Sequence, residues 1–167
     1  MIPQLPSAVR VPFWWSGPPH DPSEGGGPDE SLRSETGAGI LRDKRVVIIE
    51  DEAITQMQLR KICLTAGMHV VGLAADGEQG VHKVLETSPD MVLLDINLPL
   101  LDGLSAAERI LKELSLCVVM LTAYDGEEYR RRAQELGTCG YIVKPVTSST
   151  LLPKLQAAYR QFQRPTQ

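Results

Sequence analysis

The chain has 167 residues, of which 43% are apolar and 23% are charged. These shares are typical of soluble globular proteins and exclude a collagen-like or wholly disordered chain, and the length fits one domain of ordinary size. The net charge is only -4, and residues 42–167 hold sixteen acidic and fifteen basic residues. Because nucleic-acid binders usually have a basic excess, direct contact with DNA or RNA is not expected.

The three cysteines of the chain are Cys63, Cys117 and Cys139. Their odd number argues against a disulfide framework, and their wide spacing argues against a metal site, so we interpret them as reduced, structural residues of a cytoplasmic protein. No stretch approaches the roughly 20 apolar residues of a membrane span. Pro12 interrupts the most apolar part of the N-terminus, so no secretory signal is predicted either.

Residues 1–41 contain seven prolines and six glycines and show no helical or strand periodicity. This composition predicts a disordered tail, followed by one folded domain at residues 42–164. Within the tail, Phe13-Trp14-Trp15 is either a short docking motif or an incidental aromatic cluster. A misassigned translation start would explain the tail equally well.

From Lys44 onward, short apolar runs alternate with segments of helical periodicity. The runs cover residues 46–49, 70–74, 91–94, 118–121 and 141–143, and their content of Val, Ile and Leu predicts buried parallel strands. The first and fourth helical segments are expected to end at Gly67 and Gly137. In the fifth, a cap at Ser149 or Thr150 would make Pro153 tolerable. Five βα units in series predict a doubly wound α/β fold with a five-stranded parallel sheet.

Ligands of an open parallel sheet bind at the carboxyl ends of its strands. The first run leads into Glu50-Asp51-Glu52 and the third into Asp95. Carboxylates crowded at one edge repel each other unless a cation with oxygen ligands lies between them. Mg²⁺ fits best, because it is held by one or two carboxylates together with phosphate oxygens. We expect Asp51 and Asp95 to bind the metal directly, Glu50 to orient a metal-bound water, and a backbone carbonyl near Asn97 to complete the protein ligands.

Two more strand ends carry side chains suited to a phosphoryl group. The fourth run ends in Thr122-Ala123 and the fifth in Lys144-Pro145. Lys144 could neutralise one phosphoryl oxygen, and the Thr122 hydroxyl could donate to another, so the edge combines a nucleophile, a metal and positive charge. A single acid at a strand end is more often a helix cap, but caps do not explain four strand ends together.

Four segments, VVIIEDE, MVLLDINLPLLDG, VVMLTA and GYIVKP, occur in this order. Together they resemble the receiver domains of two-component response regulators over about residues 44–162. The resemblance implies a flavodoxin-like (βα)5 fold with strand order 2-1-3-4-5, and Pro99 and Gly103 match the turn after the acceptor. Its implied site comprises an acidic pair (Glu50 and Asp51), the phosphoacceptor (Asp95), a hydroxyl switch (Thr122), a rotating aromatic (Tyr141) and a phosphate-binding lysine (Lys144).

This resemblance implies a regulator that a histidine kinase or phosphotransfer protein phosphorylates on Asp95, and that assists only its own phosphorylation and dephosphorylation. Phosphorylation would draw Thr122 inward and let Tyr141 turn into the vacated space. The surface of the fourth helix, fifth strand and fifth helix would then change for an unknown downstream protein, or for a second copy in a homodimer. Asn97 and Tyr124 are expected to flank the approach of water to the phosphoryl group and to tune its loss.

Four classes of protein were considered for a chain with this acidic edge: two kinds of response regulator, a phosphatase and a flavin-binding protein. Because the chain ends at Gln167, a stand-alone receiver is the first interpretation. The second is the receiver part of a regulator whose RNA-binding antiterminator (ANTAR) domain lies elsewhere, because residues 124–162 resemble receivers that are fused to such domains. A magnesium-dependent phosphatase of the haloacid dehalogenase type would need an acid two residues after its nucleophile, where this chain has Asn97. A flavin-binding protein would need a phosphate loop after the first strand, where acids would repel the ligand.

Overall fold

Five strands alternate with five helices in the computed structural model, which describes residues 39–165. The strands are β1 (Arg45–Ile49), β2 (His69–Ala74), β3 (Met91–Asp95), β4 (Cys117–Thr122) and β5 (Gly140–Val143). The helices are α1 (Ala53–Thr65), α2 (Gly77–Thr87), α3 (Gly103–Glu113), α4 (Glu127–Glu135) and α5 (Ser148–Gln163). All five predicted βα units are therefore confirmed.

The strands form one parallel sheet in the order β2-β1-β3-β4-β5, which confirms the predicted fold class. β1 and β3 are hydrogen-bonded neighbours although β2 lies between them in the chain, so the order reverses at this pair. In open α/β sheets, such a switch point is where ligands bind, outside the carboxyl ends of the strands. The residues that follow β1 and those that end β3 meet there.

The sheet is covered on both faces by amphipathic helices. α1 and α5 bury residues such as Leu59 and Leu155 against one face, whereas α2 and α3 bury Val84 and Ile110 against the other. All five residues of β3 are buried, as expected for a central strand with helices on both sides. Among residues 39–165, no helix combines the length and apolar character needed to cross a membrane.

The packed part of the chain begins before the predicted boundary at residue 42. Leu41 is 1% exposed and belongs to the cluster on the α1 and α5 face, with Ile40 packed against it. Two residues that the composition assigned to the tail therefore contribute to the core. The rest of the predicted tail, residues 1–38 with the aromatic cluster 13–15, lies outside the described residues.

The start of α5 differs from the prediction. Thr147, not Ser149 or Thr150, is the N-cap, and its side chain and that of Thr150 form a reciprocal capping box. Pro153 consequently lies in the second turn of the helix instead of the first, where its ring removes one intrahelical hydrogen bond. The predicted caps were wrong because four consecutive hydroxyl residues, at positions 147–150, offer equivalent capping signals, and only the observed entry of the chain from β5 selects among them. The predicted ends of α1 and α4 at Gly67 and Gly137 are confirmed. The two glycines directly follow the C-caps and have φ of +82° and +86°.

Candidate functional site

Three carboxylates meet at the switch point of the sheet. Glu50 and Asp51 directly follow β1, and Asp95 ends β3. One oxygen from each lies within 4.8 Å of the others. Glu50 and Asp95 are only 1% and 4% exposed, whereas Asp51 is open to solvent. The predicted convergence of these acids is thus confirmed, and the open side of the cluster is the one that Asp51 borders.

Lys144 joins two of these acids from the end of β5. Its Nζ donates to Oε2 of Glu50 at 2.5 Å and to Oδ2 of Asp95 at 2.8 Å, and its side chain is only 16% exposed. The peptide bond between Lys144 and Pro145 is cis. The lysine that the sequence predicted at the same edge as the acids is therefore bonded to the predicted acceptor itself.

The charges in this cluster do not balance. Burial raises the pKa of Glu50 to about 7, against the opposing effect of its hydrogen bonds from Lys144 and from the Glu52 N–H. Burial would also lower the pKa of Lys144, but the hydrogen bonds to Asp95 and Glu50 outweigh burial and raise it, so Lys144 stays protonated. One ammonium facing three carboxyl groups leaves excess negative charge, which favours a divalent cation with oxygen ligands.

Asp95 is held on both carboxylate oxygens. Lys144 binds Oδ2, and the backbone N–H of Asn97 donates to Oδ1 at 3.1 Å. The turn that follows is closed by a 2.8 Å hydrogen bond from the Gly103 N–H to the Ile96 carbonyl. Only glycine fits at 103, because a Cβ there would lie 2.0 Å from the Asp95 carbonyl oxygen. The predicted match of Gly103 to the turn after the acceptor thus has a steric cause.

The Thr122 hydroxyl faces the loop between β4 and α4. It donates to the Tyr124 carbonyl and accepts from the Tyr124 N–H, each at 3.0 Å. The Tyr141 hydroxyl donates to the same carbonyl at 3.2 Å. The two predicted switch residues are therefore connected through one backbone oxygen, while the Tyr124 side chain is 67% exposed.

Arg130 has a partner that the sequence did not reveal. The basic run 130–132 is exposed on α4, and within it the Arg130 guanidinium lies 4.8 Å from the centre of the Tyr141 ring and pairs with Asp125. The contact of Arg130 with Tyr141 could not be predicted because it depends on how α4 packs beside β5. A cation over an aromatic face is worth about 0.5–1 kcal/mol at exposed sites.

Gln56 is a second residue that sequence reasoning missed. Its side-chain amide donates to the carbonyls of Glu50 and Ala74, each at 3.0 Å. These bonds connect α1 to the ends of β1 and β2 beside the acidic cluster. A glutamine in the first turns of a surface helix carries no pattern that would single it out.

The fold and the site together define a flavodoxin-like α/β protein with an acidic, cation-attracting cluster at the switch point of its sheet. Residues 46–156 match the response regulator receiver domain family. This match covers more than half of the chain, so the chain belongs to that family. Receiver domains are signalling domains that take phosphoryl groups from histidine kinases or phosphotransfer proteins and bind Mg²⁺ at an acidic pocket.

Relatives of known sequence differ in how much of their own length matches this chain. The chain is 34% identical over 131 residues to the transcriptional regulatory protein PdtaR of Mycobacterium tuberculosis, covering 78% of this chain and 64% of that protein. It is 34% identical over 119 residues to the chemotaxis protein CheY of Treponema pallidum, covering 70% of this chain and 83% of that one. The chain thus spans less than two thirds of the length of PdtaR.

Solved structures give the same result for the fold. The response regulator domain of CheB from Thermotoga maritima matches with a TM-score of 0.65 and 30% identity, over 75% of this chain and all of that one. CheY of Borrelia burgdorferi, solved in a CheX-CheY-BeF3-Mg complex, matches with a TM-score of 0.68 and 28% identity, over 71% of this chain and 90% of that one.

Proposed function

We propose that this chain is a phosphorylation-dependent switch in which Asp95 accepts a phosphoryl group from a histidine kinase or a histidine phosphotransfer protein. The observation that carries the proposal is the double hydrogen bond of Lys144, which holds a largely buried ammonium on Asp95 beside the other two acids. A nucleophilic carboxylate, a fixed cation and an open acidic cluster are the parts that phosphoryl transfer requires.

The donor set at this edge supports Mg²⁺ as the cofactor. All three clustered side chains offer carboxylate oxygens, the ligand type that Mg²⁺ prefers. Asp51 and Asp95 would hold the ion, Glu50 would orient one of its waters, and the Asn97 carbonyl would complete the protein ligands. When bound, the ion neutralises negative charge that develops on the transferred group.

The residues of the chain then have distinct roles. An Asp95 oxygen attacks the phosphorus of a phosphohistidine, so an O–P bond forms while the N–P bond breaks and the imidazole leaves with the bonding pair. Lys144 exchanges a carboxylate partner for a phosphoryl oxygen and balances its charge. The Thr122 hydroxyl donates to a second phosphoryl oxygen, which requires it to leave the Tyr124 carbonyl.

The same rearrangement would transmit the signal. Once Thr122 moves toward the phosphoryl group, Tyr141 loses a neighbour at the Tyr124 carbonyl and turns inward, away from Arg130. The surface of α4, β5 and α5 changes as a result, and that surface would bind the downstream protein or a second copy of the chain. We place this switch in the cytoplasm, with the receiver spanning residues 42–164 together with Ile40 and Leu41, and with the tail before it.

The direct test compares two aspartates at opposite ends of β3. With acetyl phosphate and Mg²⁺, the wild-type protein should acquire an acid-stable, hydroxylamine-labile phosphoryl group, and Asp95→Asn should acquire none. Asp90→Asn is the matched control, because Asp90 lies at the amino end of β3 and its carboxylate accepts from the Arg45 N–H, a bond that an asparagine oxygen retains. Undiminished labelling of Asp95→Asn, or equal loss in Asp90→Asn, would contradict the assignment.

A second candidate keeps the same site but adds an output domain. The similarity to a transcriptional regulatory protein that is longer than the matched region favours a receiver joined to a gene-regulatory module, such as an RNA-binding antiterminator domain. Sequencing the coding region downstream of residue 167 tests this candidate directly. A stop codon there would exclude it, and an in-frame helical domain would support it.

A further inference from the structure

Cys117 and Cys139 are neighbours at the amino ends of β4 and β5, the end of the sheet opposite Asp95. Cys117 is the first residue of β4, and Cys139 immediately precedes β5. The Cys139 N–H donates to the Val118 carbonyl at 2.8 Å, so the two backbones lie side by side. Both cysteines are free thiols, and both pack in the cluster on the α1 and α5 face.

The spacing of the two backbones suits a covalent bond. Val119 pairs with Gly140, so Cys139 comes just before the paired residues of β5, beside Val118 and one step from Cys117. Its side chain packs against the α1 and α5 cluster, on the same face of the sheet as Cys117, and does not follow the alternation of a regular strand residue. Neighbouring strands are about 4.8 Å apart and rise about 3.3 Å per residue, so the two Cα atoms are roughly 6 Å apart. This separation is inside the range of about 4.4–6.8 Å found in disulfides.

The two thiols interact and have opposite acidities. A hydrogen bond from the Cys117 thiol lowers the pKa of Cys139 despite partial burial of that residue, and the same contact, followed by burial, raises the pKa of Cys117. Because the thiolate is the reactive form of cysteine, and because Cys139 is partly exposed whereas Cys117 is fully buried, these directions favour Cys139 as the nucleophile and Cys117 as the resolving thiol.

Small molecules can reach the pair from one side. Cys139 is partly exposed and lines a surface cavity of ≈ 190 Å³ together with Gln134, Tyr141 and Gln161. Cys117 is fully buried behind it. The third thiol, Cys63, is fully buried on α1, and burial raises its pKa to about 12. Cys63 thus serves as an internal control for reactivity.

We propose that Cys139 and Cys117 form a reversible intramolecular disulfide when the protein meets a small peroxide such as hydrogen peroxide. The Cys139 thiolate attacks one peroxide oxygen, the O–O bond breaks, and hydroxide leaves to become water, which gives a sulfenic acid. The Cys117 sulfur then loses its proton and attacks the Cys139 sulfur, and a second water leaves as the S–S bond forms. The two thiols lose two electrons and two protons, and the peroxide takes up both.

The bond would tie β5 to β4 just before the switch residue Tyr141, which lies two positions after Cys139. A cross-link that closes the loop from Cys117 to Cys139 restricts the unfolded chain and should raise the melting temperature by about 10 °C. This inference is independent of the proposed phosphoryl transfer, because it concerns different residues at the other end of the sheet.

The test uses the full chain, purified under reducing conditions, freed of reductant and treated with a small excess of hydrogen peroxide. Intact-mass spectrometry should show a monomer lighter by about 2 Da, peptide mapping should join the peptides of Cys117 and Cys139, and dithiothreitol should reverse both changes. Cys63→Ala should still form the bond. In Cys117→Ala, the sulfenic acid on Cys139 should persist and react with dimedone.

Three results would overturn the proposal: no loss of mass in the wild-type protein, a bridge that includes Cys63, or an intermolecular dimer through Cys139 as the main product. A cooperative urea unfolding transition, followed by circular dichroism, serves as the folding control for every variant. If Cys117→Ala is unfolded by this criterion, the folded wild-type protein is labelled with dimedone during the first seconds of oxidation instead. The proposal then requires that Cys139 is the labelled residue.

Discussion

Gly103 controls how closely α3 approaches the end of β3, and replacing it with alanine should displace the acceptor strand. The added Cβ would lie 2.0 Å from the Asp95 carbonyl oxygen and 2.7 Å from the Ile96 Cα. Both neighbours are backbone atoms, so they cannot move aside as a flexible side chain would. The overlap exceeds about 1 Å, which calls for a shift of the helix or the strand costing roughly 3 kcal/mol or more.

Gly137→Ala provides the matched control for this substitution. Gly137 has a φ of +86° and no atom within 4 Å of an added Cβ, so alanine there should cost only the left-handed backbone strain of about 1–2 kcal/mol. Urea unfolding at fixed pH would measure both free energies of unfolding. We expect Gly103→Ala to be the less stable variant by at least about 1 kcal/mol and to lose acetyl phosphate labelling even where it is folded.

The reasoning would be refuted if Gly103→Ala unfolded at the same urea concentration as Gly137→Ala, or if it retained wild-type labelling. Either result would mean that α3 can retreat from Asp95 without cost. The close approach at Gly103 would then be a feature of packing and not a requirement of the acceptor site.

Three further predictions concern other parts of the chain. Tyr124→Ala should speed loss of the phosphoryl group after donor removal without changing Mg²⁺ affinity, because a bulky side chain beside the site shields it from water; equal or slower decay would remove Tyr124 from the mechanism. Deleting residues 1–38 should leave the labelling rate unchanged. Deleting residues 1–41 should lower the free energy of unfolding in urea by about 1.5–3 kcal/mol, because Leu41 is buried. Equal free energies of unfolding for the two deletion variants would contradict this. Cys63 is fully buried and burial raises its pKa to about 12, so it should resist alkylation in the folded protein and react only after urea unfolding; ready alkylation of the folded protein at pH 8 would contradict this.

Much of the fold was predictable because the short apolar runs of the strands and the helical periodicity of the other segments occupy separate parts of the sequence. Each apolar run is short, the last four follow helical segments, and two of those segments end at a glycine (Gly67 and Gly137), so five βα units were visible in the sequence. The convergence of Asp95 with Glu50 was also predictable, since parallel strands present their carboxyl ends at one edge. These inferences need only the order of the elements and the side chains at their ends.

The parts that could not be predicted depend on distances between elements. The bond of Lys144 to both Glu50 and Asp95 and the contact of Arg130 with Tyr141 arise from the packing of β5 beside β4 and α4. The burial of Leu41 depends on a turn that precedes any periodic segment, so composition assigned it to the tail. A sequence pattern records which face of an element is apolar but not which polar side chains meet across neighbouring elements.

The Tyr124 carbonyl accepts hydrogen bonds from both Thr122 and Tyr141. This shared acceptor would couple phosphorylation of Asp95 to partner binding in both directions. If Thr122 releases the carbonyl on phosphorylation, a partner that binds only the inward position of Tyr141 gains affinity. Linkage requires the reverse as well: that partner must favour the phosphorylated form by the same factor. The abundance of the downstream target would therefore help to set how much of the regulator is phosphorylated. The phosphorylated fraction would then depend on the concentration of the target as well as on the activity of the kinase.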